Sequence, residues 1–296
     1  MKRTVAIIGA GELGSAFGKI LELLGHRVYL WDLVPEKRNT GKSLEEIIRQ
    51  AELVFLTVPS WSLSAALGSV KNFLNPKTKL ICASKGMEKT GKTVPEIIQE
   101  SIANDFAILS GPMIAEELDL GLPGFSLVAA GGKELFEELN LLFLGSGLRL
   151  QYASDLNSVA YAGILKNVYA LILGLAHGLS QGDNVRGFLI SEILKEWEDL
   201  AKILGIDSSV LRGLAGQGDF IATSISRYSR NCQLGEKLAK GNLDNLTSEG
   251  FESLAPLIKL VREKTNQPLP KFLNGLERII IKKHEPKKVF QELIEI

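Results

Sequence analysis

Residues 4–14 read TVAIIGAGELG. A run rich in β-branched and apolar residues, Thr4–Gly9, ends in a glycine turn, and a helix-like stretch, Gly14–Leu24, follows it. Gly9, Gly11 and Gly14 form G-x-G-x-x-G between a strand and a helix, the context in which the motif has a physical meaning. The first glycine permits the tight turn, the second lets a pyrophosphate approach the backbone, and the third lets helix and strand pack closely. The helix start, reached through Glu12 and Leu13 of the motif, then offers unpaired N–H groups and a positive dipole end to the phosphates. A plain glycine turn would need none of this context.

Working outward, the apolar runs at 27–31, 53–58, 79–84, 106–110, 125–130 and 148–152 alternate with helix-like stretches as far as residue 152. The runs are nearly all apolar rather than alternating, as in a mostly parallel sheet covered on both faces. From Ser154 onward the β signal stops and long helical patterns take over, at 154–181, 184–204, 232–240, 249–265, 270–282 and 286–294. The expectation is an α/β protein in two domains. A dinucleotide-binding Rossmann domain, a doubly wound and mostly parallel sheet, spans 1–152, and an all-α domain spans 153–296. A length of 296 residues agrees with two domains.

Asp32 ends the second strand. A carboxylate there can accept hydrogen bonds from both hydroxyls of the adenosine ribose and would repel a 2′-phosphate, which favours NAD over NADP. Lys37 and Arg38 lie close enough to reach such a phosphate. Ligands of open α/β sheets sit outside the carboxyl ends of the strands. Pro59 after the third strand, Lys85 and Gly86 after the fourth, and Gly111 after the fifth lie there.

Between Asp155 and Asp183 the only formally charged residue is Lys166, in the setting VAYAGILKNVYALIL. A helix this apolar is largely buried. An ammonium short of water gives up its proton more readily, which suits a general acid; the alternative is a lysine snorkelling from the helix edge. Asp219, at the end of GLAGQGD (213–219), is an acid that could pair with a buried lysine or cap the helix that follows it. Arg230 and Asn231 offer a planar fork and a further donor suited to phosphate, with Arg227 a competitor.

Composition limits the partners. Thirty-four Lys and Arg balance thirty-four Asp and Glu. A nucleic-acid partner would call for a basic excess, whereas a small anionic ligand needs only two or three local cations. The two cysteines, Cys82 and Cys232, show no metal spacing and suggest a reducing compartment. The three histidines are scattered, so no metal is expected. The N-terminus lacks the apolar region of a signal peptide, and the uncharged stretch 53–70 holds Pro59 and several serines, a poor membrane span. A cytoplasmic protein is expected, with a homodimer left open.

The ordered set GAGELG (9–14), SKG (84–86), LSGP (109–112), LKNVYA (165–170), GDN (182–184), GLAGQGDF (213–220), SRN (229–231) and EG (249–250) resembles the bacterial NAD(P)-dependent glycerol-3-phosphate dehydrogenases over nearly the whole chain. The resemblance implies a Rossmann domain followed by an all-α domain of the 6-phosphogluconate-dehydrogenase type. It also implies reversible reduction of dihydroxyacetone phosphate to sn-glycerol 3-phosphate, a phospholipid precursor. By that resemblance Lys166 is the proton donor and Asp219 holds it. Lys85, Gly111, Thr223, Arg230 and Asn231 meet the substrate. Gly9, Gly11, Glu12, Leu13, Gly14, Asp32, Pro59, Lys85, Ala115, Arg230 and Glu249 meet the cofactor. The chain departs from the family pattern in four places, one of them a short segment between Asp32 and Ser43 where part of the usual insertion is absent. Met113 stands where a hydroxyl or amide residue usually follows Gly-Pro. Ser191-Glu192-Ile193 replaces a Thr-Arg-Gly. Asp32-Leu33 follows Trp31, where an arginine or histidine is common.

Overall fold

In the computed structural model, which describes residues 2–241 and 247–295, the apolar runs become strands β1 (Thr4–Ile8), β2 (Arg27–Trp31), β3 (Leu53–Leu56), β4 (Lys79–Cys82), β5 (Phe106–Ser110), β6 (Gly124–Ala130) and β7 (Leu148–Ala153). They form one sheet in the order β2-β1-β3-β4-β5-β6-β7. The first five strands are parallel, β6 runs antiparallel to β5, and β7 is parallel to β6. Strands β3, β4 and β5 are buried along nearly their whole length, while β7 at the edge is buried only at Leu148 and exposed at Arg149 and Gln151. That contrast is the one expected between strands covered on both faces and an edge strand.

The helices of this part are α1 (Glu12–Leu23), α2 (Leu44–Gln50), α3 (Leu63–Val70), α4 (Val94–Ser101), α5 (Ala115–Asp119) and α6 (Lys133–Leu142). Their ends follow the local chemistry. Ser43 and Thr93 each build a reciprocal capping box with the glutamate three residues on, Glu46 and Glu96. One face of the sheet packs on a core centred on Phe17, Phe55 and Phe143, whose ring centroids lie 5.8–6.0 Å apart. Met113 belongs to this core and is 7% exposed.

From residue 156 the chain is helical: α7 (Leu156–Gly178), α8 (Asp183–Leu204), α9 (Ser208–Arg212), α10 (Asp219–Ile225), α11 (Arg230–Ala239), α12 (Glu249–Lys264), α13 (Lys271–Leu276) and α14 (Pro286–Ile294). The pattern at 270–282, which reads as one helix, divides into α13 and a turn of π-helix at Glu277–Ile281. Helix α7 is long and apolar enough to cross a membrane, but 94% of its most apolar window is buried inside the protein, so its composition reflects a core position. The mostly parallel sheet and the helical second half agree with the expected fold class.

The chain divides into two compact units, one of Met1–Lys85 with Thr93–Ala160, the other of Gly86–Lys92 with Tyr161–Ile296. The excursion Gly86–Lys92 therefore belongs with the helices. Its Met87 is fully buried, and the Met87 N–H donates to Ser253 Oγ at 3.0 Å.

In the helical unit, Glu196 of α8 is buried and accepts from Tyr169 of α7 at 2.5 Å and from the N–H groups of Phe272 and Leu273 at 2.7 and 3.0 Å. One carboxylate thus ties three helices and satisfies two of the free donors at the start of α13. Burial pushes the Glu196 carboxyl above its ordinary range, against the pull of these three donors. The folded protein therefore holds this proton to a higher pH than the unfolded chain does. The stability linked to it is complete below the ordinary carboxylate range and is lost as pH rises through the raised value. Glutamine keeps one acceptor and turns an NH2 toward a main-chain N–H, at a cost of about 1–3 kcal/mol. Glu196→Gln is expected to melt below the parent, with a deficit that narrows as pH rises above the ordinary carboxylate range; a deficit that widens with pH contradicts the assignment.

Candidate active site

The strand order reverses between β1 and β3, which makes the carboxyl ends of these strands the switch point where α/β sheets take ligands. Gly9 lies there with φ +101°, and a Cβ on it would come within 2.9 Å of the Val58 nitrogen. A Cβ on Gly14 would meet the Gly9 carbonyl oxygen at 2.1 Å, so α1 lies directly against the turn. Above Gly11, by contrast, a Cβ would meet nothing within 4 Å. The backbone is thus open where a pyrophosphate has to approach and closed where helix and strand pack. Helix α1 begins at Glu12 after Gly11, which has no side chain to cap it, so the positive end of the helix can face a ligand.

Two side chains hold this turn. Asp32 accepts from the Ala10 N–H at 2.8 Å through Oδ2 and from the Val34 N–H at 3.0 Å through Oδ1. Thr57, after β3, donates through Oγ1 to the Gly9 carbonyl at 2.7 Å. The sequence signals Asp32 by its place after β2. It gives no signal for Thr57, whose role depends on β3 lying beside β1. Each Asp32 oxygen has a second lone pair to offer a ribose hydroxyl. These features fit a nicotinamide dinucleotide, with its phosphates at the start of α1 and its adenosine ribose at Asp32.

Farther along the same edge of the sheet, Lys85 donates from Nζ to the Gly111 carbonyl at 2.8 Å. Gly111 has φ +154°, and a Cβ there would meet the Phe125 carbonyl oxygen at 2.5 Å. Pro59 is exposed and Ala115 opens α5. Met113, buried in the sheet core, presents almost no surface.

The helical unit carries the second cluster. Lys166 is 9% exposed on α7, and its Nζ donates to Thr223 Oγ1 at 3.1 Å and lies 3.4 Å from Asp219 Oδ2. Asp219 is 3% exposed. It does not cap α10: the turn of π-helix at Leu214–Gly218 runs straight into that helix, with Gly218 already helical. The extra residue in that turn sets the side of α10 on which Asp219 lies, and Thr223 follows one turn later on the same face. An unpaired ammonium this deep would be costly, and the carboxylate and hydroxyl compensate it.

Asn231, near the start of α11, is buried and largely committed within the fold. Its Nδ2 donates to Asn167 Oδ1 at 2.8 Å, and its Oδ1 accepts the Gly250 N–H at 2.9 Å. One amide hydrogen remains for a ligand. Arg230 is exposed beside it, and Glu249 opens α12 next to Gly250. Lys166 thus meets both Asp219 and Thr223, and Asn231 joins α11 to α7 and α12.

Residues 32–135 match the family model for the N-terminus of NAD-dependent glycerol-3-phosphate dehydrogenase, and residues 155–291 match the model for its C-terminus. A glycerol-3-phosphate dehydrogenase [NAD(P)+] of Moorella thermoacetica is 35% identical, over 81% of this chain and 79% of its own.

The chain belongs to the NAD-dependent glycerol-3-phosphate dehydrogenase family.

A second relative in that family, from Fusobacterium nucleatum, is 29% identical over 98% of this chain and 96% of its own. The crystal structure of the Coxiella burnetii glycerol-3-phosphate dehydrogenase superposes with a TM-score of 0.90 at 25% identity, covering 100% of this chain and 99% of that one. A ketopantoate reductase from Ralstonia eutropha shares the fold alone, with a TM-score of 0.62 at 15% identity. A nicotinamide cofactor accords with both the family and the open glycine turn.

Gly14→Ala places a methyl group against the Gly9 carbonyl and must displace α1 or the turn. Its NADH affinity, read by fluorescence titration, is expected to fall at least about tenfold, a loss of about 1.4 kcal/mol. Unchanged affinity would remove the turn from the binding site.

Proposed function

We propose that this chain reversibly reduces dihydroxyacetone phosphate to sn-glycerol 3-phosphate with NADH. The observation that carries the reading is the buried contact of Lys166 with Asp219 and Thr223, a proton donor held by an acid in an otherwise apolar helix. A structural lysine would gain nothing from a position that costs it its water.

The residues divide the work. Gly9, Gly11, Glu12, Leu13 and Gly14 take the pyrophosphate, Asp32 takes the adenosine ribose, and Pro59, Lys85, Ala115, Arg230 and Glu249 complete the cofactor's surroundings. A nicotinamide cofactor held there would supply the hydride for the carbonyl carbon and would itself be oxidised by that transfer. Lys166 delivers a proton to the oxygen that becomes the alcohol. Asp219 holds the amine and aims it; Thr223, accepting from the same amine, limits its rotation. Arg230 and the remaining amide hydrogen of Asn231 bind the phosphate as charge-assisted donors. Lys85 and the Gly111 backbone hold the polar end of the triose. Anchoring the phosphate, which does not react, places the carbonyl for attack. In the cell this activity would supply the backbone of phospholipids from a reducing cytoplasm, in keeping with two cysteines, Cys82 and Cys232, that form no disulfide.

The test is NADH oxidation against a carbonyl panel. Dihydroxyacetone phosphate is expected to turn over, and unphosphorylated dihydroxyacetone to lose at least about a hundredfold in kcat/KM, about 2.7 kcal/mol of transition-state binding. Turnover only with another carbonyl compound, or NADH binding with none, would overturn the reading.

A further inference from the structure

Arg38 occupies a fixed place beside Asp32 that the turn-and-ribose reading does not use. The segment after β2 makes one 3-10 turn, Pro35–Lys37, and Arg38 follows it. Asn39 pins this segment to the edge strand: the Leu30 N–H donates to Asn39 Oδ1 at 2.8 Å, and Asn39 Nδ2 donates to the Val28 carbonyl at 3.1 Å. Arg38 donates from Nε to the Asp32 carbonyl at 2.7 Å, and its guanidinium lies 4.8 Å from the centre of the Trp31 ring.

The side chain is therefore held at two points, by its inner N–H and by its flat face. The terminal NH2 groups make no hydrogen bond or ion pair among the described residues, and the carboxylate of Asp32 accepts from backbone N–H groups rather than from this arginine. A guanidinium stacked on an indole and held through Nε presents its outer edge, four N–H bonds in one plane, where two can grip a phosphate together. Since Asp32 marks the ribose position, that edge belongs beside the ribose hydroxyl on which a phosphate distinguishes the two nicotinamide dinucleotides.

We propose that Arg38, fixed by Trp31 and the Asp32 carbonyl, is the residue through which this chain accepts the 2′-phosphate of NADPH, in opposition to the Asp32 carboxylate. Two adjacent groups of opposite charge thus set the cofactor ratio: Asp32 accepts from the bare ribose hydroxyls and repels the phosphate, while Arg38 attracts it. The inference rests on the dinucleotide reading of the sheet unit and is independent of the carbonyl substrate.

The experiment is fluorescence titration of NADH and NADPH onto the full chain, without carbonyl substrate. Asp32→Asn removes the charge and keeps one acceptor for the glycine turn. Arg38→Met keeps a long side chain against Trp31 and removes the fork. Arg38→Met is expected to lower the NADPH-to-NADH affinity ratio about tenfold or more, and Asp32→Asn to raise it by a similar factor. In the double variant the gain from Asp32→Asn is expected to disappear, because the phosphate then has no cation to meet. An affinity ratio unchanged by Arg38→Met, or a gain of the same size with and without Arg38, would overturn the proposal. No NADPH binding by Asp32→Asn, with NADH still bound, would overturn it as well. Failure of the unaltered chain to bind either nucleotide would instead overturn the dinucleotide reading, and this inference with it. Circular dichroism and melting of each variant separate these outcomes from misfolding.

Discussion

The ion pair between Lys166 and Asp219 sets what the helical unit has to build around it. An ammonium group in a helix as apolar as α7 loses most of its hydration, and only a close acceptor set compensates for that loss. The acceptors come from one short segment, Asp219 and Thr223 on successive turns of α10. The turn of π-helix at Leu214–Gly218 meets this requirement by setting which side of α10 these residues occupy. Around the pair, Tyr169 follows Lys166 by three positions and Phe220 follows Asp219, and both pack on Trp197. The buried Glu196 then binds the Tyr169 hydroxyl and the start of α13. The chemistry and the packing of this unit are therefore hard to separate: residues close to the pair in sequence also tie the helices together.

The sheet unit meets a different demand, that backbone rather than side chain approach a ligand. Its answer is local exactness of packing around Gly9 and Gly14, with open space only at Gly11. The supports of that turn come from three strands, since Asp32 follows β2, Thr57 follows β3, and the turn itself follows β1. The parallel order of these strands brings the three ends together.

Much of this was legible in the amino-acid sequence because the signals are local. Strands buried on both faces read as continuous apolar runs, and a glycine motif between strand and helix has a direct steric meaning. Lys166 stood out because nothing near it is charged. Other features were hidden for equally physical reasons. Asp219 could cap or pair, and the choice depends on a π turn that reads as a glycine-rich loop. Glu196 lies in the run Lys195-Glu196-Trp197-Glu198-Asp199, where a buried glutamate looks like its solvated neighbours. Thr57 and Asn167 act through elements far away in sequence. Met113 reads as a missing hydroxyl, whereas its thioether fills the core of the sheet unit.

The central claim is that Lys166 is the proton donor, and the direct measurement is turnover of Lys166→Ala with added small primary amines. The account predicts that NADH still binds, that kcat falls by about 10²–10⁴, and that ethylamine restores part of the loss in proportion to its concentration. Turnover close to that of the parent chain without added amine would contradict it.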